Sequence, residues 1–208
     1  LPTERKKNMD KTFNEATEDR RSIYAIGGGS PIDDEKIKNI IEHAVKYVPS
    51  AFNCQSARVV ILFGTAHKKL WDITESELRK IVPPEQFGRT EDKLKGFRAG
   101  HGTVMYFDDT TTTKSLQKQF PLYADNFPVW AQQANGMLQF AVWTGLEAEG
   151  LGVNLQHYNP LIDGAVTKEW ALPEGWKLIA EMPFGEKLAA PGEKTFLPME
   201  KRIKTFSE

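Results

Sequence analysis

A single domain in which several helices close over a few short buried strands is predicted by three features of the sequence. Apolar residues recur at helical spacing in Ile37, Ile40, Ile41, Ala44, Val45 and Val48. Short apolar runs of strand length stand at residues 59–63, 102–107 and 176–182. The 208 residues suffice to bury a real core, as one compact domain or as one subunit of an intertwined oligomer. With 27 basic and 28 acidic residues the net charge is -1, so no general attraction to nucleic acid or anionic lipid is expected.

Residues 1–9 hold Arg5, Lys6 and Lys7 but no apolar core, and are expected to be a disordered or processed leader; the domain is expected to span residues 10–208. No stretch has the roughly 18 apolar residues of a membrane span. The single cysteine, Cys54, cannot form an internal disulfide, which is compatible with a cytoplasmic location.

From about Asp10 to Arg21 the residues favour a helix, which runs into Arg20-Arg21-Ser22. Two guanidiniums and a hydroxyl at a helix end can grip a phosphate, or can stand as a solvated basic pair. Gly27-Gly28-Gly29 follows no apolar strand and spells neither glycine-rich phosphate motif, so it reads as a flexible turn. Asp33 or Asp34 caps the next helix, which stops at Pro49. Pro49 opens the stretch P-S-A-F-N-C-Q-S-A-R, where Ser50, Asn53 and Gln55 supply uncharged donors and acceptors. Such a set suits a flat, heteroatom-rich ligand, and equally suits an ordinary helix-to-strand connection.

Val59 to Phe63 reads as a strand buried on both faces, ended by Gly64. A helix over about 66–82 breaks at Pro83-Pro84, and a shorter one passes through Lys93 and Phe97 to a second central strand at 102–107. Asp108, Asp109 and four threonines read as a solvated loop before a short helix around 116–120. The stretch F-P-L-Y-A-D-N-F-P-V-W, from Phe120 to Trp130, is too aromatic for a simple connection and either covers a core or lines an apolar pocket. The longest helix follows over about 129–149, its stripe of small and apolar residues predicting burial at the centre of the molecule or of a dimer. It exits through E-G-L-G-V-N-L-Q-H-Y-N-P, where two glycines let main chain pass tightly against a planar ring, or simply cap the helix before a strand. A helix near 163–170 and a strand over 176–182 come next. The proline-rich last 25 or so residues have little core of their own and are expected to lie across a neighbouring subunit.

Protein-supplied nucleophiles find little support. Cys54 reads as a small buried hydrophobe, His43, His67, His101 and His157 lack the spacing of metal ligands, and no G-x-S-x-G is spelled, so a bound cofactor is expected to carry the chemistry and no metal is expected.

With Arg20-Arg21-Ser22, P-S-A-F-N-C-Q, the aromatic F-P-L-Y-A-D-N-F-P-V-W and E-G-L-G-V-N-L-Q-H-Y-N-P in this order, the chain resembles the FMN-dependent nitroreductases over about 13–206. More narrowly it resembles their short bacterial and fungal branch associated with fatty-acid repression. The resemblance implies an α+β fold: a central, mostly antiparallel sheet surrounded by helices, in an intertwined homodimer with an extended C-terminal arm and FMN at the interface. It assigns Arg20, Arg21 and Ser22 to the FMN phosphate and ribityl chain, and Pro49, Ser50, Asn53 and Gln55 of the other subunit to the flavin. Leu155, Gln156 and His157 fall along the isoalloxazine near N5, Lys194 and then Lys187 complete the phosphate site, and Lys93 falls near the position of a cation for the reduced flavin. Phe52, Phe127 and Trp130 would wall the substrate pocket. Tyr24 departs from the basic residue that larger members carry there, and so does Lys194-Thr195-Phe196 from their paired basic residues. The implied activity is hydride transfer from NADH or NADPH through flavin N5 to a nitroaromatic or quinone by a ping-pong mechanism; the alternative is a non-catalytic flavin-binding regulatory or storage protein on the same scaffold.

Overall fold

The computed structural model describes residues 11–207, so the leader expected over 1–9 lies outside the described residues. Thr12 caps α1 (Phe13–Asp19) through a reciprocal capping box with Glu15. Asp33 caps α2 (Asp34–Tyr47) by accepting the Lys36 N–H. The strands are β1 (Ile26–Gly27), β2 (Ala57–Phe63), β3 (Gly102–Asp109), β4 (Gly152–Val153) and β5 (Trp176–Lys187). Their order is β1-β5-β3-β2, with β4 also on β5, and every strand pairing is antiparallel.

Alternation along β3 decides what covers each face. Val104 and Tyr106 point to one side, where Ile37 and Ile41 of α2 and Leu138, Val142 and Leu146 of α6 (Asn126–Ala148) bury them. Met105 and Phe107 point to the other, against Leu70 and Trp71 of α3 (Gly64–Leu78), Leu94 and Phe97 of α4 (Phe87–Arg98) and Val166 of α7 (Asp163–Glu169).

Four expectations are revised. The run at 59–63 belongs to β2, which is the sheet edge and only half-buried except at Leu62. Gly27 is strand rather than turn, paired with Glu186. The third strand runs on through Pro183 to Lys187, because β5 is gripped on both sides and at Pro183 only the carbonyl is used, by the Asn154 N–H at 3.2 Å. Finally, the threonines after Asp109 are the first turn of α5 (Thr110–Gln119).

Asp109 Oδ1 accepts the Thr111 and Thr112 N–H groups at 3.0 and 3.4 Å, and its other oxygen meets Arg58 at 2.8 Å. The cap outweighs the weak helix propensity of threonine. Burial opposes the charge on Asp109, but hydrogen bonds from Thr112 and Thr111 and the Arg58 guanidinium hold the carboxyl below its usual range. This stabilisation is therefore present above that range and fades as pH falls through it. Asp109→Ala is expected to cost about 1–2 kcal/mol, read as a loss of about 2–8 °C in Tm at neutral pH that shrinks on acidification.

Candidate functional site

The arginine segment is fastened to the exit of the longest helix. Ser22 forms a parallel bridge with Val153, the Ile23 N–H donates to the Val153 carbonyl at 2.9 Å, and the Asn154 amide donates to the Ile23 carbonyl at 2.9 Å. Gln156 in turn donates to Asn154 Oδ1 at 2.8 Å, so one buried amide chain fixes both segments. Gly150, at φ +92°, makes the tight exit from α6 that only glycine takes without strain. Leu155 is half-buried and His157 exposed beside them.

On this ledge Arg20 lies over the Trp143 ring, its Cζ 4.6 Å from the centroid, and its Nε is buried without an acceptor. Ser22 is exposed, and Arg21 donates to the Gly192 carbonyl at 2.6 Å, which draws the C-terminal tail to the same place. Lys194, two residues on, sits over its own Phe196 ring at 5.0 Å. Lys187 is engaged elsewhere: it meets Glu147 at 3.0 Å, a carboxylate only 2% exposed that Lys11 also holds at 2.9 Å. Lys93 is on α4, its ammonium 5.5 Å from the Phe97 ring, and makes no hydrogen bond to any of the expected site residues among those described.

The second group forms where α2 gives way to β2. Ser50 Oγ accepts the Gln55 N–H at 3.0 Å and closes a loop in which Phe52, Asn53 and Gln55 all take positive φ, at 56°, 50° and 50°. Left-handed backbone at non-glycine residues costs on the order of 1 kcal/mol or more each and collects at sites of function. Pro49, Ser50 and Gln55 line a cleft of about 520 Å³ floored by Val59, Ile61 and Leu138. Phe52 turns into a knot of rings: 6.0 Å from Trp130 in a stacked pose, 5.4 Å from Phe127, 4.9 Å from Phe120 and 6.1 Å from Tyr123. A larger cleft of about 820 Å³ opens at the far end of β2 around Phe63, Lys68 and His101, and none of the expected site residues lines it.

The two groups are held apart by α6. Trp130 carries the ring knot and Trp143 carries Arg20, and thirteen residues of helix separate them by about 20 Å. Paired guanidiniums with an exposed hydroxyl suit an anionic end, and the amides of 50–55 suit a planar polar edge, so the donor set fits a phosphorylated heteroaromatic group. The unpartnered Arg20 Nε is the observation that speaks most directly for an anion.

A model of the nitroreductase family matches residues 17–186. The chain belongs to that family. As a nitroreductase-family chain it is 47% identical to the nitroreductase CinD of Lactococcus lactis, in a structure with chloramphenicol that superposes with a TM-score of 0.87 over 94% of this chain and 100% of that one. The same bacterial nitroreductase has also been solved with 4-nitrophenol, at a TM-score of 0.86. Nitroreductase FRM2 of Saccharomyces cerevisiae is 34% identical over 186 residues, covering 88% of this chain and 91% of its own. A more distant nitroreductase-type structure from Desulfovibrio desulfuricans, at 17% identity and a TM-score of 0.69 over 95% of this chain and 99% of that one, shares the fold and was solved with FMN.

The sequence assigns Asn154 and Trp143 no role of their own, and marks Phe120 and Tyr123 only as members of the aromatic stretch. Asn154 stands inside a motif that was noticed, whereas Trp143 becomes a platform only through the helical distance that sets it under Arg20.

Proposed function

We propose that this nitroreductase-family chain is an FMN-dependent NAD(P)H oxidoreductase that reduces small nitroaromatics or quinones and works as a homodimer. The observation that carries the reading is the bonding of Arg20–Ser22 to Val153–Gln156, which sets anion-binding donors and the glycine-exit segment on one ledge. FMN, when bound, supplies a two-electron carrier that accepts hydride from a pyridine nucleotide and yields it to an acceptor.

Around that group the chain would divide its labour. Arg20, Arg21 and Ser22 bind the phosphate end, joined by Lys194 because Arg21 already holds the tail at Gly192. Lys187 is set aside for this role, since Glu147 occupies its ammonium. The backbone of Leu155, Gln156 and His157 orients the reactive rim. Pro49, Ser50, Asn53 and Gln55 of the second copy address the ring edge, and Phe52 and Trp130 stack a flat acceptor and exclude water, with Phe127, expected as a wall but buried in the structure, backing them.

The separation along α6 favours two copies, because a pocket built from both groups is completed when two α6 helices run antiparallel across a two-fold axis. Exposed Val45 and Tyr47 on α2, Met137 and Phe140 on α6 and the unpaired edge of β2 give such an interface apolar and hydrogen-bonding surface.

The test is the absorption spectrum of the purified protein, followed by anaerobic mixing with NADH and with NADPH and by steady-state turnover with a nitroaromatic and a quinone. Bleaching of a bound flavin and parallel reciprocal plots are expected. A flavin that neither nucleotide reduces would instead favour a binding or storage role, and a protein that takes up no FMN would overturn both.

A further inference from the structure

Glu181 is the buried group that the reading above leaves unused. It sits in β5, fully buried, and its backbone exchanges two hydrogen bonds with that of Gln156, at 2.7 and 2.9 Å. Oε2 accepts the Tyr158 N–H at 3.0 Å, while Oε1 has no partner. Two more buried oxygens of the adjoining turn, Asn159 Oδ1 and Asp163 Oδ1, are also without a donor. Across the sheet the residue opposite Glu181 is Met105, which brings no charge. The titratable groups acting on the carboxyl come from the turn and from α7, namely Tyr158 and Asp163, and the Lys177 ammonium acts on Asp163. Of these oxygens, Glu181 Oε1 and Asp163 Oδ1 belong to carboxyls that act on one another, and a buried acid can supply the missing hydrogen by keeping its proton.

We propose that Glu181 is a positioning residue that works as the neutral acid. Its one hydroxyl donates to Asp163 Oδ1 at the start of α7, and its other oxygen holds the Tyr158 N–H, which fixes the 155–157 segment laid against the flavin rim. Burial pushes this carboxyl up to about 8, with the charge of Asp163 adding to it and the Tyr158 N–H opposing. The folded value thus lies above the ordinary 4.5, so the stabilisation is whole below about pH 4.5 and is lost as pH rises through 8.

The positioning role rests on the flavin reading, and the protonation of Glu181 does not. Thermal unfolding of the flavin-free protein is measured from pH 5.5 to 8.5 for wild type, Glu181→Gln and Glu181→Ala, together with FMN affinity by fluorescence quenching over the same range. Glutamine keeps a donor and cannot ionise, so the Tm gap between Glu181→Gln and wild type is expected to widen by about 5 °C or more toward pH 8.5. Wild-type FMN affinity is expected to fall about three- to tenfold as pH rises through 8, while Glu181→Gln stays level and Glu181→Ala is weak throughout. Parallel melting profiles for wild type and Glu181→Gln would overturn the neutral acid. Wild-type FMN affinity in Glu181→Ala at every pH would overturn the positioning role. A wild-type protein that never takes up FMN would overturn the flavin reading and this role with it, while the melting profiles still decide whether Glu181 keeps its proton.

Discussion

Arg20→Ala is expected to weaken FMN binding by about ten- to a hundredfold, the equivalent of one charge-assisted contact of roughly 1.5 to 3 kcal/mol. The expectation follows from a guanidinium that packs on Trp143 yet leaves its Nε buried without an acceptor, a state that a bound phosphate would relieve. The flavin-free variant should melt within a few degrees of wild type, because what it loses in the empty protein is a ring contact and not a core side chain. Arg20→Lys retains the charge but not the planar fork, and should fall between the two. Titration of FMN into each protein, followed by quenching of flavin fluorescence, reads the series. Equal affinity for all three would move the phosphate to another place on the chain.

Deletion of residues 188–208 is expected to have the larger effect, converting a dimer to a monomer and removing FMN binding with it. Leu188, Phe196, Leu197, Met199, Ile203 and Phe206 are all exposed on a tail whose one side-chain anchor among the described residues is Arg21 to Gly192. So much apolar surface on an extended segment is stable in water only when something covers it. In the proposed homodimer a second copy is that cover, and losing it would leave each ring-knot group without its arginine partner. Light scattering after size exclusion, at micromolar protein, gives the mass directly. A truncated protein that remains dimeric with undiminished flavin affinity would leave the arm without a role.

The parts legible in the sequence were those set by local chemistry. The core of the α2 stripe at Ile37, Ile41 and Ala44, a cap from the Asp33–Asp34 pair, the glycine exit at Gly150 and the burial of 102–107 follow from spacing and residue type, whereas Val45 of the expected stripe is exposed. What spacing does not encode is which element lies beside which. The run at 59–63 looked central because it is apolar, yet β2 ends the sheet and is only half-buried except at Leu62. The threonines after Asp109 looked like loop because propensity is weak beside a well-placed cap. Lys187 looked free because its partner, Glu147, is 40 residues away in sequence. At the candidate site, the left-handed backbone at Phe52, Asn53 and Gln55 and the bare oxygen of Glu181 are matters of backbone and burial that no short pattern spells.

The length of α6 has a genetic consequence. If each working centre draws its arginines from one chain and its 49–55 loop from the other, a chain crippled at Arg20 and a chain crippled at Asn53 are defective in different halves. Paired in one dimer, the two lesions fall together in one centre and spare the other entirely. Two dead alleles expressed equally in the same cell, with chains pairing at random, should therefore rescue each other to about a quarter of the output of a healthy pair, a result that a chain binding its cofactor alone would never give.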